Sequence, residues 1–167
     1  MAAAATVEAQ HQPYAGQESR DIKALSAKEI EQYRAGAGMG FAKAAELNRY
    51  PGPMHVLELA DRLKLSPEQR QATKQLMDAH KAEARAIGAK VVDAEARVEA
   101  LFRTGKVEQA ALAKAVNDAA ALQGEYRLSH LETHRRMRAL LSDEQVARYD
   151  QLRGYGTQPA GKSAHRH

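Results

Sequence analysis

The sequence predicts an all-α protein: a long antiparallel helical hairpin with short flanking helices. Three observations carry that prediction. Aromatic residues make up only 5% of the 167 residues and Trp is absent, whereas Ala, Glu, Gln, Leu, Lys and Arg, which lose little side-chain freedom in a helix, fill the middle of the chain. After Pro67 no Pro appears up to residue 102, and none between 107 and 140; both stretches repeat their apolar side chains at the 3.6-residue helical period. They are joined by Thr104-Gly105, and two long helices with so short a turn between them lie antiparallel. Finally, Leu-Ser followed three places after the Ser by Glu or Gln stands ahead of three helical stretches, at 25–29, 65–69 and 141–145. That spacing is a capping box: the Ser oxygen accepts an orphan N–H of the first turn and the later side chain reaches back.

The elements follow in chain order. Residues 1–24 mix Ala, Gln, Gly and Pro without a period and read as a flexible N-terminal segment. Leu25-Ser26-Ala27-Lys28-Glu29 opens a first helix, which the glycines at 36, 38 and 40 end or kink. Pro51-Gly52-Pro53 separates a short helix over 41–48 from another over 54–63. Leu65-Ser66-Pro67-Glu68-Gln69 starts the first long helix, with Pro at the favoured first position and Glu68 beside the positive end of the dipole. Gly88 lies within its continuing pattern, and Gly124 is the soft point of the second long helix. Leu141-Ser142-Asp143-Glu144-Gln145 starts the last helix, where Leu141 and Val146 form a hydrophobic staple. Residues 154–167, rich in Gly, Pro, Ser and His, read as a flexible C-terminal tail, so the helical domain spans 25–153.

At about 100° per residue, the first long helix points Leu76, His80, Ala84, Val91 and Phe102 inward. The second does the same with Val116, Ala119, Tyr126, His130, His134 and Met137. Leu128 and Leu131 project from another side and call for a second partner surface, which points to a homodimer. The net charge of +4 comes from 25 basic residues interleaved with 21 acidic ones, the pattern of solvated helix faces, so no nucleic-acid partner is expected; Arg135, Arg136 and Arg138 have Glu132 beside them. Without Cys there are no disulfides, thiolate metal sites or Cys nucleophiles. No apolar run of about 18 residues exists, so no membrane span is expected. The opening residues lack the basic end and apolar segment of a signal peptide, which reads as either a cytosolic protein or a mature chain.

With Leu65-Ser66-Pro67-Glu68-Gln69 and Leu141-Ser142-Asp143-Glu144-Gln145 bracketing the hairpin, the chain resembles the periplasmic Spy/CpxP proteins, also called the LTxxQ family, with Ser for Thr in both motifs. The stretch 45–59 and the ending 147–155 look like the branch of heavy-metal sensors and refolding chaperones. The resemblance implies a periplasmic protein, a dimer of long curved helices forming a cradle. It further implies that such a protein holds unfolded clients without ATP, or binds metal ions and reports them to a membrane stress or metal sensor. The missing signal peptide departs from the family and fits a mature chain.

Histidines on an inner helix face need a hydrogen-bond partner, a metal or water. His130 and His134 stand one turn apart on one face, with Met137 a turn further on. Folding the hairpin at Thr104-Gly105 sets His80 level with His130 and Met77 near His134. The metal candidates are therefore His80, His130, His134 and Met137, with Met77, His55 and Glu58 weaker and Met54 beside them. Imidazole with thioether suits copper; imidazole with carboxylate suits zinc, nickel or cobalt. The alternative is that these histidines are half-exposed wedges, and no cofactor is required. His11, His165 and His167 lie in the tails and would bind metal only loosely. The capping residues Leu65, Ser66, Gln69, Leu141, Ser142 and Gln145 are structural.

No enzyme is expected. His130-Leu131-Glu132-Thr133-His134 superficially resembles a zinc-protease helix, but Glu132 is two residues after His130 and points about 200° away from it. No nucleophile elbow or phosphate-binding glycine loop supports another chemistry. The expected function is that of an ATP-independent chaperone of the envelope stress response with metal binding attached; the alternative is a heavy-metal sensor or resistance protein that signals to a membrane partner.

Overall fold

The computed structural model describes residues 12–156, and among them every regular element is helical. The order is α1 (Ala27–Ala35), α2 (Lys43–Glu46), α3 (Pro53–Glu58), α4 (Pro67–Arg103), α5 (Gln109–Ala139) and α6 (Asp143–Arg153). α4 and α5 form the antiparallel hairpin, α1 and α3 pack on α4, and α2 and α3 also reach α5.

All three capping boxes form with both reciprocal bonds: Ser26 with Glu29, Ser66 with Gln69 and Ser142 with Gln145. The two glutamines do more than cap. The Gln69 amide donates to Gln145 Oε1 at 2.8 Å and to the Leu140 carbonyl at 2.8 Å. Gln145 Nε2 returns a bond to Gln69 Oε1 at 2.9 Å and reaches the Leu63 carbonyl at 3.3 Å. The two motifs thus clasp each other and tie the start of α4 to the start of α6. Each amide satisfies groups that burial would otherwise leave unpaired.

Two cores lie along the covered half of the hairpin. The lower one gathers Val56, Leu63, Leu65, Leu76, Leu141, Val146 and Tyr149, so the predicted staple of Leu141 and Val146 sits within it. The upper one joins Ile22, Leu25, Tyr33, Val91, Val92 and Tyr126. α1 crosses α4 at Gly88, where an added Cβ would lie 1.9 Å from the Tyr33 carbonyl oxygen. Gly88 is therefore required for the crossing.

The structure corrects several expectations. The helix expected over 54–63 ends at Glu58, because the chain turns to carry Ala60, Leu63 and Leu65 into the lower core, with Lys64 at φ 52°. The one expected over 41–48 shrinks to four residues. Phe102 and Val116 do not face inward: they are 58% and 47% exposed, and no residue from 95 to 118 is buried. Two helices alone bury only the seam between them. The packed body also begins before residue 25, since Ile22 is buried and the Lys23 N–H and Nζ both bond to Glu99. The outermost parts of the expected flexible ends, residues 1–11 and 157–167, and with them His11, His165 and His167, lie outside the described residues.

Candidate functional site

A cleft of about 570 Å³ opens where the glycine-rich segment after α1 and the start of α3 face the sides of α4 and α5. It is lined by His55, His80, His130 and His134 and by Met39, Met54 and Met77. Helical register explains the convergence: α4 supplies Met77 and His80 from adjacent positions on one turn, and α5 supplies His130 and His134 one turn apart.

His80 and His130 meet across the hairpin. His80 Nε2 lies 3.1 Å from His130 Nδ1, and the rings stand edge to face at 77° with centroids 4.5 Å apart. One proton serves that contact. The outer nitrogens, His80 Nδ1 and His130 Nε2, are buried and without a hydrogen-bond partner among the described residues. Burial, helped by the neighbouring His80 and His134, pulls the His130 pKa down to about 4. Burial and then His134 lower that of His80 too. Both rings are thus neutral at pH 7, and the pair leaves one lone pair and one N–H unmatched inside the fold. Tyr126 packs on His130 at 4.8 Å and is in turn edged by Tyr33 and Phe41, while its hydroxyl donates to the Ala37 carbonyl. An aromatic line therefore runs from α1 to the histidine pair.

His134 is oriented differently. Its Nδ1 donates to the Tyr50 carbonyl at 2.7 Å, with Glu46 Oε2 at 3.5 Å, so in the neutral ring Nε2 is the free nitrogen. The ring lies so close to Gly52 that an added Cβ would come within 2.9 Å of Nε2. Glu46, which the sequence reading did not single out, organises this corner. Its carboxylate accepts from the Gly52 N–H at 3.1 Å and from the Tyr149 hydroxyl at 2.5 Å. Burial, and then Glu46, push the Tyr149 hydroxyl far above its ordinary pKa. The signal for Glu46 was its place just ahead of the Pro51-Gly52-Pro53 break, where a helix-end acid can meet freed N–H groups.

Of the sequence-derived candidates, His80 and His130 are in contact, and His134, Met77 and His55 share their cleft. His55 is held by Glu58 at 2.8 Å. Met137 is not with them: it is fully buried in the lower core with Leu76 and Tyr149, because one turn beyond His134 the same face of α5 meets apolar side chains. Among the described residues no group of three or more His, Cys, Asp or Glu gathers closely enough to hold a metal ion. Glu132 pairs with Arg135 at 2.6 Å, away from His130. Leu65, Ser66, Gln69, Leu141, Ser142 and Gln145 serve the caps, the clasp and the lower core.

No curated protein and no solved structure gives a match to this chain. A family model described as LTXXQ motif family protein matches residues 53–153, from the first residue of α3 to the last of α6. That is more than half of the chain and takes in both Leu-Ser-x-x-Gln motifs and the clasp they form, so the chain belongs to the LTXXQ motif family.

Proposed function

We propose that this chain is a periplasmic envelope-stress protein of the Spy/CpxP kind, an ATP-independent holdase that keeps unfolded clients from aggregating. The observation that supports this reading is the bare distal arm of the hairpin. Residues 95–118 include no buried side chain, and Phe102, Val107 and Val116 stand exposed among Arg103, Lys106, Glu108 and Lys114. Apolar groups set among charges hold flexible chains by non-directional contact, which needs no nucleotide. A second copy laid against the arm and Leu128, itself 63% exposed, would make the dimeric cradle that family resemblance suggests. Among the described residues no helix is long and apolar enough to cross a membrane.

The test is light scattering of a chemically denatured client diluted into stoichiometric protein. The wild type is expected to suppress aggregation, and Phe102→Ser/Val116→Ser, with unchanged circular dichroism, to need roughly threefold more protein because two exposed apolar contacts are lost. Unchanged aggregation in the presence of wild-type protein would end the holdase reading.

A second reading is favoured by the histidine pair: a metal-binding sensor or resistance protein that passes its signal to a membrane partner. Two ring nitrogens 3.1 Å apart have the spacing of two ligands on one ion, and the Met77 thioether lines the same cleft, a donor set suited to copper. Calorimetry with copper, zinc, nickel and cobalt on the wild type and on His80→Ala/His130→Ala tests it. Identical titrations of the two proteins would remove this reading while leaving the holdase intact.

A further inference from the structure

We infer that the cleft beside His130 binds a single-chain amphiphilic anion, a molecule with one unbranched hydrocarbon tail and one carboxylate or phosphate head. The cleft's volume of about 570 Å³ lies in the range of small-molecule sites. Met39, Met54 and Met77 line it, and thioether side chains adapt to a flexible alkyl chain without fixing its conformation. A second trough of about 650 Å³, with Leu57 and Ala60 in its walls, shares Met54, Met77 and Lys81 with the first. Together the two follow α4 from Arg85 to Arg70, a path of about 20 Å at 1.5 Å per residue. Such a path fits a linear tail better than a compact ring system.

Charge gives the path a direction. Lys43, Lys81 and Arg85 line the cleft, and none of them is in an ion pair among the described residues. In the trough, Arg70 and Lys74 are matched by Asp61 and Asp78. Glu46, the cleft's carboxylate, is already engaged by Tyr149 and Gly52. One end is thus cationic and unpaired, and the other, where Leu57 and Ala60 stand beside ion-paired Arg70 and Lys74, carries no unmatched charge beyond the shared Lys81. An independent observation lies in the cleft wall: His130 is 5% exposed and keeps Nε2 without a partner. When His80 donates to His130 Nδ1, the His130 proton sits on Nε2, where an anionic head would accept it. A peptide fits less well, since α4 and α5 bond their own backbone groups and offer no main-chain partners.

The test is calorimetry on the full chain with chelator present, so that metal plays no part, and with every amphiphile kept below its micellar concentration. The probes are dodecanoate, dodecyl phosphate, dodecyltrimethylammonium, inorganic phosphate and a short acidic peptide with apolar side chains. Both dodecyl anions are expected to bind saturably at one per chain, and the cationic amphiphile, inorganic phosphate and the peptide about tenfold or more weaker. Lys81→Glu/Arg85→Glu should weaken both anions about tenfold by reversing the charge at the head end. Met54→Asp, at a side chain 48% exposed in the folded chain, should weaken them through the tail, so that either variant alone can decide. Equal binding of the cationic amphiphile, equal binding of inorganic phosphate, tighter binding of the peptide, or indifference to both variants would overturn the assignment. No client is present in this experiment, so its failure would leave the holdase reading untouched.

Discussion

The two halves of the α4–α5 hairpin differ more than their sequences suggest. The half nearest the Leu-Ser-x-x-Gln motifs holds both cores, the glutamine clasp, the histidine pair and the cleft. The half nearest the turn, residues 95–118, is a two-helix arm with no buried residue. Both halves are rich in Ala and in charges of both signs, and both are continuous helix. What separates them is cover. α1, α3 and the segments around them lie over the first half, and a helix pair without such cover hides only its seam. Helical propensity makes the hairpin; a third element makes a core, and with it a place where polar groups are perturbed.

Substitutions can break that contrast, and the largest effect is expected at Gly88. Gly88→Ala drives a Cβ to 1.9 Å from the Tyr33 carbonyl oxygen, a backbone atom that moves only if α1 moves. Urea unfolding should show a loss of about 3 kcal/mol or more, although Ala is the better helix former by about 1 kcal/mol. An unchanged midpoint would mean that α1 does not cover α4 there.

Acid is expected to act next, through the histidine pair of the covered half. The folded pKa of His130, about 4, lies below its ordinary 6.5, so the unfolded chain takes up the proton first as pH falls. The contribution of His130 is complete above pH 6.5 and is lost between there and about pH 4, on the order of a few kcal/mol. Urea midpoints of metal-free protein across that range should fall, and the fall should flatten in His130→Phe. A flat wild-type profile would show that the ring is solvated.

The clasp should follow. Gln69→Ala is expected to cost about 2 kcal/mol by taking away the Leu140 carbonyl's donor, the Ser66 N–H's acceptor and both of Gln145's bonds across the clasp, and Gln145→Ala made on top of it much less than alone. Additive losses in the double-mutant cycle would mean that each glutamine serves only its own cap. Smallest of all, and of opposite sign, is Gly124→Ala: a Cβ there meets nothing within 4 Å, so stability should rise by about 0.5–1 kcal/mol.

Much of this was legible in the residues. Ser26, Ser66 and Ser142 announced three helix starts because capping is a local matter of one side chain and the next few N–H groups. The meeting of His80 and His130 was legible too, since a short turn fixes the register of two long helices. Met137 was misjudged because helical spacing says which face a residue shares but not what covers that face one turn further along. Glu46 and Lys43 escaped because they come from α2, a four-residue helix whose position depends on contacts far away in the chain, and Lys81 and Arg85 because on α4 they look like any other charges of a solvated helix face.

The sequence by itself determined the helices, their ends, the antiparallel hairpin and the pairing of two histidines, all of which rest on periodicity, capping and turn length within a few residues. Only the tertiary structure decided that Gln69 and Gln145 clasp each other across 76 positions, that Gly88 is a crossing point, and that one half of the hairpin is a body and the other a bare arm. Those features depend on which segments come together in space, and burial, unlike helix formation, is settled by neighbours distant in the chain.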